Sequence, residues 1–322
     1  MTAAEIPATT WLVGDIGGTN ARFALISPDG QVVTSRVLAD ENYPTIEDAL
    51  AAFLAECVSL PRPRQGAIAV ASPITGDRVT MTNHPWNFSI LALKARFGFD
   101  RIEVINDFTA LALALPRLKP EERLPVGGGV AAAGAPIGVL GPGSGLGVSG
   151  LVPSGGGWIA LTGEGGHATM APASDRESAV VDRMRGHFDH VSAERALSGP
   201  GLVNLYNTLT VIDGIPAKGY TAAQITDLGI RGEDPLCVET TTMFCAMLGT
   251  VAGNLALTLG ARGGVYIGGG IVPRLGQLFV QSPFRERFEA KGRLQTYLAA
   301  IPTFVVIHPL PAFVGCAALL AQ

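Results

Sequence analysis

A short apolar strand that runs directly into an Asn-Asp pair is the feature that most constrains this fold. Val104 and Ile105 end a buried-strand pattern, Asn106 and Asp107 follow at once, and the apolar run 111–115 predicts the next helix. Open α/β sheets place their functional groups just past the carboxyl ends of such strands. Asp107 is therefore a candidate catalytic carboxylate. The segment alone also allows Asp107 to be a helix N-cap, a position for which Asp is favoured.

The composition is that of a globular protein. The chain has 322 residues, 48% hydrophobic and 16% charged, which predicts about two domains at the usual ~100–200 residues each. The net charge of −4 and the lack of a basic run argue against nucleic acid or an anionic membrane as the main partner. No uninterrupted apolar run approaches the ~20 residues that a membrane span needs.

The N-terminal segment and the cysteines indicate a cytoplasmic protein. Residues 1–10 lack the basic and apolar regions of a signal peptide. The four cysteines form neither a C-x-x-C motif nor a ligand cluster, so we expect reduced, mostly buried thiols. They are Cys57, Cys237, Cys245 and Cys316.

The first glycine turn lies between two apolar strands near the N-terminus. Asp15 ends the entering strand, Gly17 and Gly18 turn the chain, and Thr19 and Asn20 add side-chain donors. A plain β-hairpin is one interpretation. The crowding of polar groups favours a phosphate site, because glycines leave backbone N–H groups open to an anion and Mg²⁺ takes one or two carboxylates. No Gly-Lys-Ser or Gly-Lys-Thr occurs, which excludes the P-loop NTPases.

A second glycine turn repeats this pattern at Gly143–Gly145, with the hydroxyl of Ser144 at its tip. The stretch from Gly145 to Gly150 matches the G-x-G-x-x-G spacing of dinucleotide-binding folds, but a strand follows it where that motif requires a helix. The match is therefore interpreted as accidental. Two such hairpins can hold a phosphate chain from both sides.

A third glycine run, Gly268–Gly270, ends another buried strand and is followed by a helix after Pro273. A helix N-terminus behind glycines suits a nucleotide. A tight strand-to-helix turn without a ligand explains the same pattern equally well.

Polar residues in the second half of the chain are harder to interpret. Glu164 and His167 lie in a glycine-rich loop, and a metal site there would need a third ligand that the sequence does not show. Glu194, taken alone, is most simply a solvated helix residue. Asn83 and His84 are weaker candidates for a polar site.

Three further patterns organise this half. A Ser174-x-x-Glu177 capping box predicts a helix over 174–187, and a long apolar pattern predicts one over 235–261. The strand 303–308 is expected to return to the first domain and bring the chain ends together. The expected domains are therefore 1–116 with 304–322, and 117–303.

Seven motifs, in order along the chain, resemble those of the proteobacterial-type glucokinases. They span residues 12–22, 105–110, 143–148, 163–167, 190–195, 197–206 and 264–274. That family has the actin/hexokinase/Hsp70-like (ribonuclease H-like) ATPase fold. The resemblance implies a two-domain α/β protein with an active-site cleft between a small α/β domain and a larger α+β domain. Ser144 departs from the family pattern, which has Thr there, but keeps the hydroxyl.

The resemblance also implies roles for individual residues. Asp107 is the general base on the 6-hydroxyl of glucose, and it contacts the sugar together with Asn106, Glu164, His167 and Glu194. The nucleotide, ATP with Mg²⁺, is held by the three glycine turns. The implied nucleotide-binding residues are Gly14, Asp15, Ile16, Gly17, Gly18, Thr19, Asn20, Gly143, Ser144, Gly145, Gly268, Gly269 and Gly270.

Two other functions remain possible from the sequence. The broader sugar-kinase group includes transcriptional repressors, so a catalytically silent sugar-binding regulator is one, although a zinc-type Cys cluster and a helix-turn-helix extension are absent here. Another phosphotransferase of this fold, acting on a carboxylate or glycerol, is the second, but it would not need Glu164, His167 and Glu194 together. The resemblance implies a homodimer. It does not choose between glucose, mannose and glucosamine, or between ATP and polyphosphate.

Overall fold

The computed structural model describes residues 7–82 and 84–322. Residues 1–6, within the N-terminal segment, and Asn83 lie outside the described residues. The chain divides into two compact units, which are described separately below. The first unit comprises Met1–Leu118 and His308–Gln322, and the second comprises Lys119–Ile307.

The described residues form thirteen β-strands and thirteen α-helices, besides short 3-10 turns. In chain order the strands are β1 (Trp11–Ile16), β2 (Asn20–Ile26), β3 (Val32–Ala39), β4 (Gln65–Val70), β5 (Arg78–Thr80), β6 (Asn87–Ser89), β7 (Arg101–Asn106), β8 (Arg123–Pro125), β9 (Ile137–Pro142), β10 (Leu146–Ser154), β11 (Gly157–Gly163), β12 (Val265–Ile267) and β13 (Thr303–Val306). The helices are α1 (Ile46–Glu56), α2 (Ile90–Phe97), α3 (Asp107–Ala114), α4 (Asp175–Arg185), α5 (Ala193–Ala196), α6 (Gly199–Asp213), α7 (Ala222–Arg231), α8 (Pro235–Leu259), α9 (Val272–Leu275), α10 (Gln277–Gln281), α11 (Phe284–Glu289), α12 (Gln295–Ala299) and α13 (Pro311–Leu320).

The first unit is built on a five-stranded sheet of order β3-β2-β1-β4-β7. The strands β1, β4 and β7 are parallel, and their register aligns Ile16 with Val70 and Val70 with Asn106. The β1–β2 turn and the Asn106-Asp107 pair therefore lie at the same edge of the sheet, as expected for carboxyl ends of parallel strands. The predicted antiparallel hairpin of β1 and β2 is confirmed.

Helices cover this sheet with apolar faces. In α1, Ile46, Ala49, Leu50 and Phe53 are buried, and the Thr45 hydroxyl caps the helix by accepting the Asp48 N–H at 3.1 Å. Helices α3 and α13 pack against each other. Together these contacts fix the edge at which the Asn-Asp pair lies.

The second unit contains a six-stranded sheet of order β11-β10-β9-β12-β13-β8. Its first five strands repeat the plan of the other sheet, with an antiparallel three-stranded meander followed by two parallel strands. The predicted antiparallel pairing of β9 with β10 is confirmed, and a strand, not a helix, follows Gly145. The interpretation that the G-x-G-x-x-G match is accidental is thus confirmed.

The expectation for the strand near residue 303 is wrong. β13 does not join the first unit's sheet, because Thr303–Val306 pair with β12 on one side and with β8 on the other. A buried strand pattern does not specify its partners, and the partners here are strands of the second unit.

Helix α8 is the centre of the second unit. Among the described helices it is the one long and apolar enough to cross a membrane, but most of it is buried inside the unit. Its apolar residues pack with those of α6, α7 and α11 in one continuous core. Core packing therefore explains its composition.

The capping box predicted at the start of α4 forms only in part. The Ser174 hydroxyl accepts the Glu177 N–H at 3.2 Å, as predicted. The Glu177 carboxylate instead accepts the Ala173 N–H at 2.8 Å and a pair of hydrogen bonds from Arg287 at 2.7 and 3.0 Å. The partly buried Arg287 guanidinium thus takes the carboxylate that a capping box would use.

Candidate active site

The two residues of the Asn-Asp pair have different roles at the start of α3. The Asn106 side-chain oxygen accepts the N–H groups of Phe108 at 2.8 Å and Thr109 at 3.2 Å, so Asn106 is the N-cap of α3. Asp107 is the first helical residue, half-buried, and its carboxylate accepts the Phe108 N–H at 2.9 Å. The capping role that the sequence allowed for Asp107 therefore belongs to its neighbour. The helix N-terminus favours a negative charge at Asp107.

The first glycine turn closes tightly beside this pair. The Gly17 N–H donates to the Asn20 carbonyl at 3.0 Å, and Gly18 and Thr19 at the tip are exposed. The two implied positions within β1, Gly14 and Ile16, are buried, and the Ile16 carbonyl accepts the Ala71 N–H at 3.1 Å. These two residues support the turn from behind.

Asp15 forms an ion pair that the sequence pattern did not indicate. The Arg22 guanidinium lies directly across the hairpin and donates to the Asp15 carboxylate at 3.0 Å. Burial raises the pKa of Asp15, and the charge of Arg22 partly offsets that rise. The hairpin register could have predicted this ion pair, because a two-strand pairing around Gly17-Gly18 places residues 15 and 22 opposite each other.

The donor set at this turn fits Mg²⁺ carried by a nucleotide. Asp15 supplies one carboxylate, and Mg²⁺ commonly takes one or two carboxylates, phosphate oxygens and waters. No cluster of three or more His, Cys, Asp or Glu residues suited to a metal occurs among residues 7–82 and 84–322. The described residues thus suit a Mg²⁺ ion whose remaining ligands are phosphate oxygens and waters, and they offer no complete set of protein ligands.

Asp40 supports the same turn and was not among the sequence candidates. Its backbone N–H donates to the Thr19 carbonyl at 3.0 Å, and its side chain is 1% exposed. Burial raises the pKa of Asp40, while the charge of His84, a hydrogen bond from the Ala21 backbone and the charge of Arg22 lower that pKa.

In the second unit, Glu194 is not a solvated helix residue. Its carboxylate accepts the Leu146 N–H at 2.8 Å, across 48 positions of sequence. Gly145 permits this approach, because a Cβ atom at that position would lie 2.5 Å from the carboxylate oxygen. Glu194 is therefore fixed beside the second glycine turn.

The turn that carries Glu164 and His167 packs on the same strand. Residues Gly165–His167 form a 3-10 turn, and a Cβ atom on Gly166 would lie 2.0 Å from the Leu146 carbonyl oxygen. Glu164 and His167 flank this contact and are exposed. The start of β10 thus brings Glu164, His167 and Glu194 to one place, although the sequence separates them by up to 30 positions.

The Ser144 turn is tied to the same cluster. The Gly143 N–H donates to the Gly145 carbonyl at 2.8 Å, and the Gly199 N–H donates to the Gly143 carbonyl at 2.8 Å. The Ser198 hydroxyl donates to the Glu194 carbonyl at 2.8 Å. The beginning of α6 therefore links the glycine turn to the Glu194 segment.

The third glycine run also adjoins β9. The Gly268 N–H donates to the Leu140 carbonyl at 2.8 Å, and Gly268 is buried, whereas Gly269 and Gly270 are exposed. The helix that follows, α9, is only one turn long. The run is thus a tight turn at the end of the parallel strand β12.

Comparison with known proteins identifies the family. A family model described as glucokinase matches residues 12–322. The chain belongs to the glucokinase family. It is 56% identical over 312 residues to a glucokinase from Paramagnetospirillum magneticum, covering 97% of each chain. It is 52% identical to a glucokinase from Chromobacterium violaceum, covering 97% of this chain and 89% of that protein.

A solved structure of a glucokinase from an Antarctic psychrotroph matches with a TM-score of 0.88 and 37% identity, covering 97% of this chain and 98% of that one. The fold is therefore the mixed α/β fold of the glucokinase family, with several sheets. The resemblance read from the seven motifs is confirmed by these relatives.

Proposed function

We propose that this protein transfers the γ-phosphoryl group of ATP to the 6-hydroxyl of D-glucose, giving glucose 6-phosphate. Membership of the glucokinase family supports the reaction. The observation that carries the assignment of the base is the geometry of the Asn-Asp pair. Asn106 caps α3, so the carboxylate of Asp107 is held at the strand end without being needed as a cap.

The proposed role of Asp107 is to accept the proton of the sugar hydroxyl as the bond to phosphorus forms. A hydroxyl is a weak nucleophile, and a positioned base typically contributes ~10²–10⁴-fold to the rate. Phosphoryl transfer itself passes through a loose transition state, so positioning and charge neutralisation supply most of the remaining catalysis.

The proposed sugar contacts are Asn106, Glu164, His167 and Glu194. Carboxylates, an imidazole and an amide distinguish hydroxyl positions by hydrogen bonding, and a site built in this way rejects sugars that lack one hydroxyl because its polar groups are left unpaired. The fixed position of Glu194 against the Leu146 N–H supports this role, since one carboxylate oxygen is anchored by the backbone.

The proposed phosphate contacts are the backbone amides and side chains of the turns at Gly17–Asn20 and Gly143–Gly145. Asp15 would hold the Mg²⁺ that accompanies ATP, and this ion neutralises charge on the phosphate oxygens when bound. Exclusion of water from the reacting groups would prevent hydrolysis of ATP.

We further propose that the enzyme works in the cytoplasm as a homodimer. Four buried, unpaired cysteines fit a reducing compartment. The dimer rests on the family resemblance.

The test measures ADP release from MgATP by the wild-type protein, with and without glucose. We expect ADP release that depends on glucose, with glucose 6-phosphate formed in equal amount. Mannose, glucosamine and polyphosphate, each substituted in turn, define the acceptor and the donor. Glucose binding by calorimetry without any ADP release would refute the kinase and favour the silent sugar-binding regulator.

A further inference from the structure

A polar pocket of about 370 Å³ lies in the second unit beside the proposed sugar residue His167. It is lined by His167, His187, Phe188, Asp189, His190, Ser192 and Arg195. Its size is in the range of small-molecule sites. Except for His167, none of these side chains has a part in the proposed phosphoryl transfer.

Arg195 supplies a fixed positive charge in this pocket. Its guanidinium stacks on the Phe188 ring, 4.5 Å from the centroid. Among the described residues it forms no ion pair. A planar guanidinium held by an aromatic ring presents its N–H edge to a ligand, and that edge matches the oxygens of a phosphate or carboxylate.

His190 is hydrogen-bonded in place, and its segment pairs with the segment that carries His167. His190 is hydrogen-bonded through Nε2 to the Thr169 hydroxyl at 3.0 Å. The segments that carry it and His167 are joined by backbone hydrogen bonds, from Ala193 to the Ala168 carbonyl at 2.8 Å and from Met170 to the Val191 carbonyl at 3.0 Å. The His167 and His190 imidazoles therefore line the pocket because two paired segments present them there, whereas His187 follows the end of α4.

The arrangement favours an anion over a metal ion. No metal-ligand cluster of three or more groups occurs in the parts of the chain that the structure describes, even though three histidines line this pocket. Imidazole N–H groups and a guanidinium are donors suited to tetrahedral phosphate oxygens. Asp189 is the one carboxylate in the lining, and its charge opposes an anion.

We propose that this pocket binds the phosphate group of a small phosphate monoester, with Arg195 as the principal contact. The phosphate oxygens accept hydrogen bonds from the guanidinium and from the histidines. Because His167 lines both this pocket and the proposed sugar site, a bound phosphate weakens glucose binding; this coupling, unlike the anion site itself, rests on the proposed function.

The test titrates inorganic phosphate into the full-length protein by calorimetry at constant ionic strength, without sugar or nucleotide. We expect saturable binding that Arg195→Gln weakens by about 10-fold or more, because a charge-assisted hydrogen-bond pair is lost. Asp189→Asn should tighten binding by about 3-fold, since a nearby like charge is removed. Arg293→Gln, which removes an exposed arginine elsewhere in the unit, is the matched control and should leave binding unchanged.

Opposite shifts in Arg195→Gln and Asp189→Asn would not arise from general damage to the fold. Absence of saturable binding, or equal weakening by Arg195→Gln and Arg293→Gln, would overturn the site. A second titration uses glucose 6-phosphate in place of inorganic phosphate. If the protein binds it and Arg195→Gln weakens that binding as well, the ligand is a phosphate monoester. If the protein binds inorganic phosphate but not glucose 6-phosphate, a monoester ligand is refuted. Phosphate that binds without raising the glucose KM refutes the coupling through His167.

Discussion

The substitution Gly145→Ala should impair glucose recognition while leaving the fold intact. A Cβ atom at position 145 would lie 2.5 Å from the Glu194 carboxylate oxygen, whereas real Cβ atoms essentially never approach closer than 3.0 Å. The carboxylate must therefore retreat by about half an ångström or more. Because it is the far end of a flexible side chain, the backbone need not move, and we expect little loss of stability.

The expected loss is in glucose recognition. The retreat shifts the Glu194 carboxylate from the position that its 2.8 Å hydrogen bond from the Leu146 N–H now fixes. A misplacement near 1 Å can cost about 10²-fold in rate. We therefore expect kcat/KM for glucose to fall by about 10–100-fold, with a smaller change in the KM for MgATP.

The assay is steady-state kinetics with each substrate varied, together with thermal unfolding. Gly128→Ala is the matched control, because a Cβ atom there has nothing within 4 Å, and its kinetics should equal those of the wild type. A Gly145→Ala protein with unchanged glucose kinetics would refute the placement of Glu194. A large drop in melting temperature in that variant would show that the backbone, not the carboxylate, had yielded.

Two predictions concern the rest of the molecule. Glu177→Gln breaks the pair between the buried Glu177 and the partly buried Arg287, and it should lower the free energy of unfolding by about 3–5 kcal/mol in denaturant titrations. Asp182→Asn, at an exposed pair, should change that free energy by less than about 1 kcal/mol, and similar values for both variants would contradict the role of burial. Burial raises the pKa of Cys245 and Cys316 to about 12, so both stay protonated at pH 8 and should resist alkylation until the protein is unfolded; labelling of native protein, read by mass spectrometry, would disprove this.

Local patterns in the sequence predicted the turns well because their determinants are local. A hairpin of two strands around Gly17-Gly18 follows from residues within about ten positions, and the pairing of β1 with β2 confirms it. The same holds for β9 and β10. An N-cap for α3 was also predictable from the local sequence, although the capping residue is Asn106 and not Asp107.

Features that depend on distant partners were not predictable from one sequence. The Glu194 carboxylate accepts a backbone N–H 48 positions away in the sequence. The Glu177 carboxylate binds an arginine 110 positions away instead of completing the capping box. The apolar pattern of β13 would suit either sheet, so its pairing with β12 and β8 depends on packing against distant residues. Without the resemblance to a family, Glu164, His167 and Glu194 would not have been grouped.

Asp107→Asn tests the central claim most directly. The substitution keeps the size of the side chain and removes its ability to accept a proton, so glucose binding measured by calorimetry without nucleotide should change by only a few-fold. Turnover should fall by at least ~10²-fold, while Asp182→Asn, at an exposed carboxylate, keeps wild-type turnover. Full turnover by Asp107→Asn would contradict the account, because it would show that the carboxylate at the strand end is not the base.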